Sequence, residues 1–156
     1  TIGRQSPADN IYVSHSADYG RTWTEPERTV LTNNNSSIQA IQLASGDIAI
    51  VYNHAGSGGD PDQATWRYAR YPLTVVLSEG GGQTWPSVRH IETGDSFAGE
   101  QNRSLNRRCS YPSIVQTRDG LIHVAYSYRG RQCIKYVRFT EDWVRSQLDW
   151  LHPAEG

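Results

Sequence analysis

Short alternations of apolar and polar residues, broken by turn signals, run along most of the chain. Ile41 to Leu43, then Ser45-Gly46, then Ile48, Ile50 and Tyr52 read as one hairpin. Ile114 to Gln116, then Asp119-Gly120, then Ile122, Val124 and Tyr126 read as a second. The two align without a gap at a period of about 74 residues, placing Gly46 on Gly120, Gln42 on Gln116 and Tyr52 on Tyr126. A glycine ending each turn predicts a tight two-residue connection, where positive φ is required. Helical spacing shows only near the C-terminus, where Trp143, Leu148, Trp150 and Leu151 predict a short packed helix within 141–151. The pattern therefore predicts an all-β chain of about ten short antiparallel strands.

A second repeat is sharper. Ser16-Ala-Asp18-Tyr-Gly20-Arg-Thr22-Trp23 matches Ser78-Glu-Gly80-Gly-Gly82-Gln-Thr84-Trp85, and each copy follows a strand, over 11–14 and 73–77. The letters have a physical logic. An aspartate bonds nearby backbone N–H groups and holds a tight turn. A glycine supplies positive φ. A tryptophan packs beneath the turn, so Trp23 and Trp85 are expected to be buried in equivalent surroundings. Ser16, Asp18, Gly20 and Trp23 complete the first copy. Ser78, Gly82 and Trp85 carry the second, in which Gly80 stands where the aspartate belongs. Laid end to end, the segments fall into three groups: 10–14 with 27–31, then 36–93, then 111–139. The inserts 54–69 and 94–108 interrupt them and read as long loops on one rim.

Composition narrows the classes. Nine tyrosines and five tryptophans suit pleated surfaces, and fourteen glycines and seven prolines supply turns. The formal net charge of −1 leaves no broad basic footprint for nucleic acid. No apolar run reaches the length of a membrane span. Lys135 is the single lysine, and the remaining positive charge is arginine, whose planar fork suits carboxylates and phosphates. Codon bias is the plainer account of that preference. Cys109 and Cys133 are the only cysteines, and with no His or Cys at ligand spacing they make no zinc site. A disulfide between them and a pair of buried thiols both stay open. No cofactor is expected. Thr1 in first place and the absence of methionine lead us to expect a chain that begins inside a longer protein, whose targeting signal is not here to read.

The Ser-x-Asp-x-Gly-x-Thr-Trp repeat is the Asp box, and with it the chain resembles sialidases and related propellers. The runs 33–54, 72–78, 110–120 and 134–138 are similar to bacterial neuraminidase-like proteins, and the similarity covers about residues 4–144, nearly the whole chain. The resemblance implies the C-terminal half of a single six-bladed Asp-box propeller domain. About two and a half to three blades would lie in residues 1–156. It implies a secreted or periplasmic setting and a partner, either the remaining N-terminal half or other subunits of an assembly. It also implies roles. Sialidases clamp a substrate carboxylate with three arginines and attack with a tyrosine. Arg4 precedes the first box where the second arginine of the family lies, Arg70 precedes its strand where the third lies, and Tyr111 matches the nucleophile. Arg67 competes with Arg70, and Arg107 and Arg108 read as a solvated pair beside the same mouth. Pro112 and Ser127 depart from the family pattern, which usually has Ser and Glu there. The acid, the tyrosine's glutamate partner and the first arginine would lie upstream of Thr1.

Three functions remain open on the residues alone. One is a glycosidase acting on terminal acidic sugars, inactive as this chain by itself. Another is a non-catalytic binding or assembly module that takes an acidic glycan. The third is a propeller lyase or hydrolase that processes uronic acids. Fold does not choose among them.

Overall fold

The computed structural model describes residues 10–56, 70–93 and 108–146. Arg4, Arg67 and Arg107, most of both inserts and the end of the expected helix fall outside the described residues. Among the described residues, nine strands form three antiparallel sheets. Strands β1 (Asn10–Val13) and β2 (Glu27–Thr32) pair alone. Strands β3 (Gln39–Gln42), β4 (Ile48–Asn53), β5 (Leu73–Glu79) and β6 (Thr84–Glu92) form a four-stranded sheet in that order. Strands β7 (Ser110–Gln116), β8 (Ile122–Tyr128) and β9 (Cys133–Phe139) form the third. The helix α1 is a single short turn, Glu141–Arg145.

Strand β5 explains the arrangement. Its run Leu73 to Ser78 is buried throughout, because both faces of the four-stranded sheet are covered. Alternation sends Leu73, Val75 and Leu77 to one face, with Val51 from β4. They meet Ile114, Ile122, Val124, Tyr126, Phe139 and Val144 of the third sheet and α1. The other face presents Ile50, Tyr52 and Val76 to Ile11 and Leu31 of the two-stranded sheet. Two amides tie β3 to β7. The Gln39 Oε1 accepts from the Ile114 N–H at 2.7 Å, and the Gln116 Oε1 accepts from the Ala44 N–H at 2.7 Å. Helix α1 starts at Thr140, whose hydroxyl accepts from the Trp143 N–H at 3.1 Å. Arg145 then anchors it by ion pairs to Asp47 and Glu141.

The hairpin turns differ in size from the expectation. Leu43 N donates to Asp47 O and Gly46 N to Leu43 O; Thr117, Leu121 and Gly120 repeat both bonds. Each loop thus has three residues, a turn closed by a left-handed glycine at φ 94° or 83°. Gln42 and Gln116 each donate to the carbonyl of their own turn glycine.

The first Asp box forms as its letters require. The Asp18 Oδ1 accepts from the N–H groups of Arg21 and Thr22 at 3.0 and 2.8 Å, and Oδ2 from the Thr22 hydroxyl at 2.7 Å. The Ser16 hydroxyl oxygen accepts from the Gly20 N–H at 2.7 Å. In the second copy three glycines, Gly80 to Gly82, all take positive φ in place of the carboxylate anchor. The equivalence of the two tryptophans does not hold. Trp85 is half-buried against the cluster of Ile11, Leu31, Ile50, Tyr52 and Val76. Trp23 is 64% exposed. Its indole bends back to donate to the Gly20 carbonyl at 3.1 Å, and among the described residues β1–β2 has no third strand beside it. The cysteines are also resolved: both are free, Cys109 buried and Cys133 exposed.

Two outcomes follow. Leu77→Ala, which removes buried atoms from the shared core, should lower unfolding free energy by about 2–5 kcal/mol. Val30→Ala, at an exposed position, should stay within about 0.5 kcal/mol; urea unfolding of the two variants measures the contrast. The bonds from Thr22 and Ser16 hold the Asp18 carboxyl at about 2, below its ordinary 3.8. A folded value below the unfolded one means the contribution is present above the unfolded value and is lost as pH falls towards the folded one. Asp18→Asn should therefore flatten the decline of the melting temperature between pH 3.8 and about 2.

Candidate functional site

The sheet register brings the strand ends that carry the predicted site to one rim. Asn53 at the end of β4 pairs with Leu73 at the start of β5, and Ser110 at the start of β7 pairs with Ser127 near the end of β8. Arg70 therefore sits at the same end as Tyr111. The Gly80–Gly82 turn lies at the far end of β5, about 20 Å away for a strand of this length, so the box cannot take part in rim chemistry.

Several polar clasps fix the rim backbone. The Arg70 carbonyl accepts from the Cys109 N–H at 3.1 Å, and Arg70 and Arg108 form an isolated parallel bridge. The Asn53 amide donates to the Cys109 carbonyl at 3.0 Å and is itself held by the Ser36 hydroxyl. The Ser127 hydroxyl donates to the Ser110 carbonyl at 2.9 Å. The residue that follows this clamped segment is Tyr111.

Tyr111 has φ 54°, although it precedes a proline, a context that favours extended backbone. A bulge between Ser110 and Ser113 accommodates it. Its ring is turned outward and is 55% exposed. Arg131, in the β8–β9 turn, also has positive φ, 74°. Its guanidinium donates to the Tyr111 Oη at 3.2 Å and lies 5.1 Å from the ring centre. Two touching residues in sparsely populated backbone conformations are a pattern that concentrates at functional sites. Arg70 shares their field. Burial lowers its pKa from the ordinary value, Tyr111 opposes that shift, and Arg131 adds to it. Arg70, Arg131 and Tyr111 thus share one electrostatic field at the rim. Arg108 is exposed beside it.

The sequence pointed to Arg70 and Tyr111 but not to Arg131. The letters Arg129-Gly130-Arg131 announce a turn, yet which turn side chain folds back towards Tyr111 depends on the positive φ values of all three. Glu92 was missed as well. It is buried behind the rim, where its Oε1 accepts from the Tyr126 hydroxyl at 2.7 Å and pairs with the Lys135 ammonium. Lys135 in turn sits 4.8 Å from the Tyr128 ring centre. Burial, with Glu92 adding, pushes the neighbouring Cys109 thiol up to about 12.

An all-β protein of repeated hairpins, with Asp-box turns at one end of its strands and an arginine–tyrosine group at the other, belongs to the Asp-box class. The family model for a BNR repeat-like domain matches residues 1–124, and the chain belongs to that family. No curated protein matches it.

The thiols give a direct check on the packing behind the rim. A disulfide-exchange reagent at pH 8 should titrate Cys133 alone in the native chain and both cysteines in denaturant, since only a thiolate attacks and Cys109 is held protonated.

Proposed function

We propose that the chain is part of a six-bladed sialidase-like propeller that hydrolyses terminal acidic sugars with Tyr111 as nucleophile. The observation that carries this reading is the group formed by Tyr111, Arg131 and Arg70. The three sheets would be the outer pair of one blade, a whole blade and most of a third. The arginines would hold the sugar's carboxylate by bidentate contacts, with Arg4 joining them by family likeness. The Tyr111 Oη would attack the anomeric carbon as a base takes its proton, the bond to the aglycone oxygen would break as an acid protonates it, and water would then displace the tyrosyl oxygen with net retention. The Arg131 guanidinium already donates to that oxygen and would hold the phenol in place.

No residue of this chain is assigned as the acid, the base or the first arginine. Catalytic groups acting as a unit lose most of their effect when one is missing, so the chain alone should bind without turnover. The partner would be the polypeptide that completes the ring. The exposed apolar side chains of the outer strands fit that need: Tyr12 and Val30 on one flank, Ile134 and Tyr136 on the other.

Calorimetry with N-acetylneuraminic acid should show binding to the chain and none for a neutral hexose. Arg70→Ala and Arg131→Ala should each weaken it by roughly tenfold or more, the worth of a hydrogen bond to a charged group. Equal affinity for acidic and neutral sugars would remove the carboxylate clamp. In the protein with all its blades, Tyr111→Phe should abolish hydrolysis of a fluorogenic sialoside and leave binding intact. Binding by that protein with no wild-type turnover would identify a glycan-binding module instead.

A further inference from the structure

A second cluster of chemically capable side chains lies on the opposite face of the four-stranded sheet, and the sugar-binding proposal does not use it. Tyr52, Thr74 and His90 form one cross-strand row: Tyr52 pairs with Thr74, and Thr74 with His90. His54 lies two residues beyond Tyr52, so alternation returns it to the same side. Its backbone is fixed where the His54 N–H donates to the Pro72 carbonyl at 3.0 Å. The two imidazoles face each other edge to plane, with ring centres 5.9 Å apart.

Each ring is held by one nitrogen. The His54 Nδ1 is 2.6 Å from the Tyr52 Oη, and the His90 Nδ1 is 2.8 Å from the Thr74 Oγ1. Both hydroxyl residues are fully buried, so the sheet interior sets the orientation of both rings. A hydroxyl can accept an Nδ1–H as well as donate to Nδ1, and the tautomer with Nδ1–H leaves the Nε2 lone pair for a ligand. An imidazole held at one nitrogen by an oxygen partner while the other points outward is the arrangement that metal-binding histidines adopt. His123 shows the contrary case, with Nδ1 against the Tyr136 hydroxyl and Nε2 against the Thr117 hydroxyl.

We propose that His54 and His90 form a two-imidazole clip for a divalent transition ion of the zinc, nickel or copper class, bound through both Nε2 atoms. The spacing allows it. A metal–nitrogen bond of about 2.0–2.1 Å places the ion about 3.2 Å from each ring centre, so a tetrahedral angle asks for ring centres about 5.2 Å apart and a linear one for about 6.4 Å; the observed 5.9 Å lies between them, and closing to the tetrahedral value takes a shift of roughly 0.7 Å. Burial biases both imidazoles towards the neutral form that binds metal, and at His54 the neighbouring His90 adds to it. Half-buried His54 and exposed His90 leave the approach open. Among the described residues no third His, Cys, Asp or Glu joins them. The ion would therefore keep open positions for water or for an oxygen ligand, as an exchangeable site does.

The test is calorimetric titration of the full 156-residue chain, freed of metal by a chelator, with Zn²⁺ and separately with Ni²⁺. One ion should bind per chain. His54→Gln and His90→Gln should each weaken binding by at least about tenfold, Tyr52→Phe by roughly tenfold through loss of the orienting hydroxyl, and His123→Gln not at all. In the wild-type chain, Zn²⁺ should also shield His54 and His90 from diethyl pyrocarbonate while His123 reacts as before. That measurement holds even if a variant fails to fold. Absence of saturable binding, binding that survives either histidine substitution in a folded variant, or no shielding of the pair would overturn the proposal.

Discussion

Burial of β5 on both faces is the constraint from which the rest follows. A strand covered on one side only can leave alternate positions polar. Leu73 to Ser78 is buried throughout, so its two polar members must be satisfied inside, Thr74 at the His90 ring and Ser78 by the Ile48 N–H, and its neighbours inherit the consequence. The odd-numbered residues need the third sheet and α1, and Val76 needs β1–β2. Because the same strand serves two cores, a shift of one residue in its pairing would exchange every contact of both. The rim is built on that register. Arg70 ends up beside Cys109, and so beside Tyr111, only because Leu73 is locked against Asn53 and Glu92.

The two ends of the sheets have been given different work. At the Asp-box end, local hydrogen bonds satisfy the backbone within a few residues, as around Asp18. At the rim end, the backbone is clasped by side chains distant in sequence, such as Asn53 on Cys109. The first kind of closure makes a turn independent of its surroundings. The second makes the rim depend on the assembled core, and it lets strained residues such as Tyr111 and Arg131 persist.

What could be read from the letters was what local chemistry decides. The strands, the three groupings, the paired hairpins and the Asp18 turn were legible because alternation, glycine and aspartate act over a few residues. Loop size was misjudged because a positive-φ glycine closes two- and three-residue turns alike, and the hydrogen bonds that separate them involve Leu43 and Thr117, which carry no turn signature. Trp23 was misjudged because a motif specifies where an indole points and not whether anything lies above it. Tyr111 and Arg70 could be picked out by likeness to a family. Arg131, the Glu92–Lys135 pair and the two rim histidines could not, since each contact spans 20 or more residues and depends on the packing of sheets.

The amide of Gln116 joins two scales of the structure. Its NH2 half closes its own hairpin at Gly120, while its oxygen takes the Ala44 N–H of the neighbouring sheet. Gln42, its repeat partner, closes the turn at Gly46 in the same way. The connector is thus encoded inside the unit it connects. When a gene segment for such a hairpin is copied, the copy brings its own socket with it, and the new joint needs no second mutation to hold. Growth by duplication is then the easy evolutionary path, and loss of a single glutamine is felt in two hairpins at once.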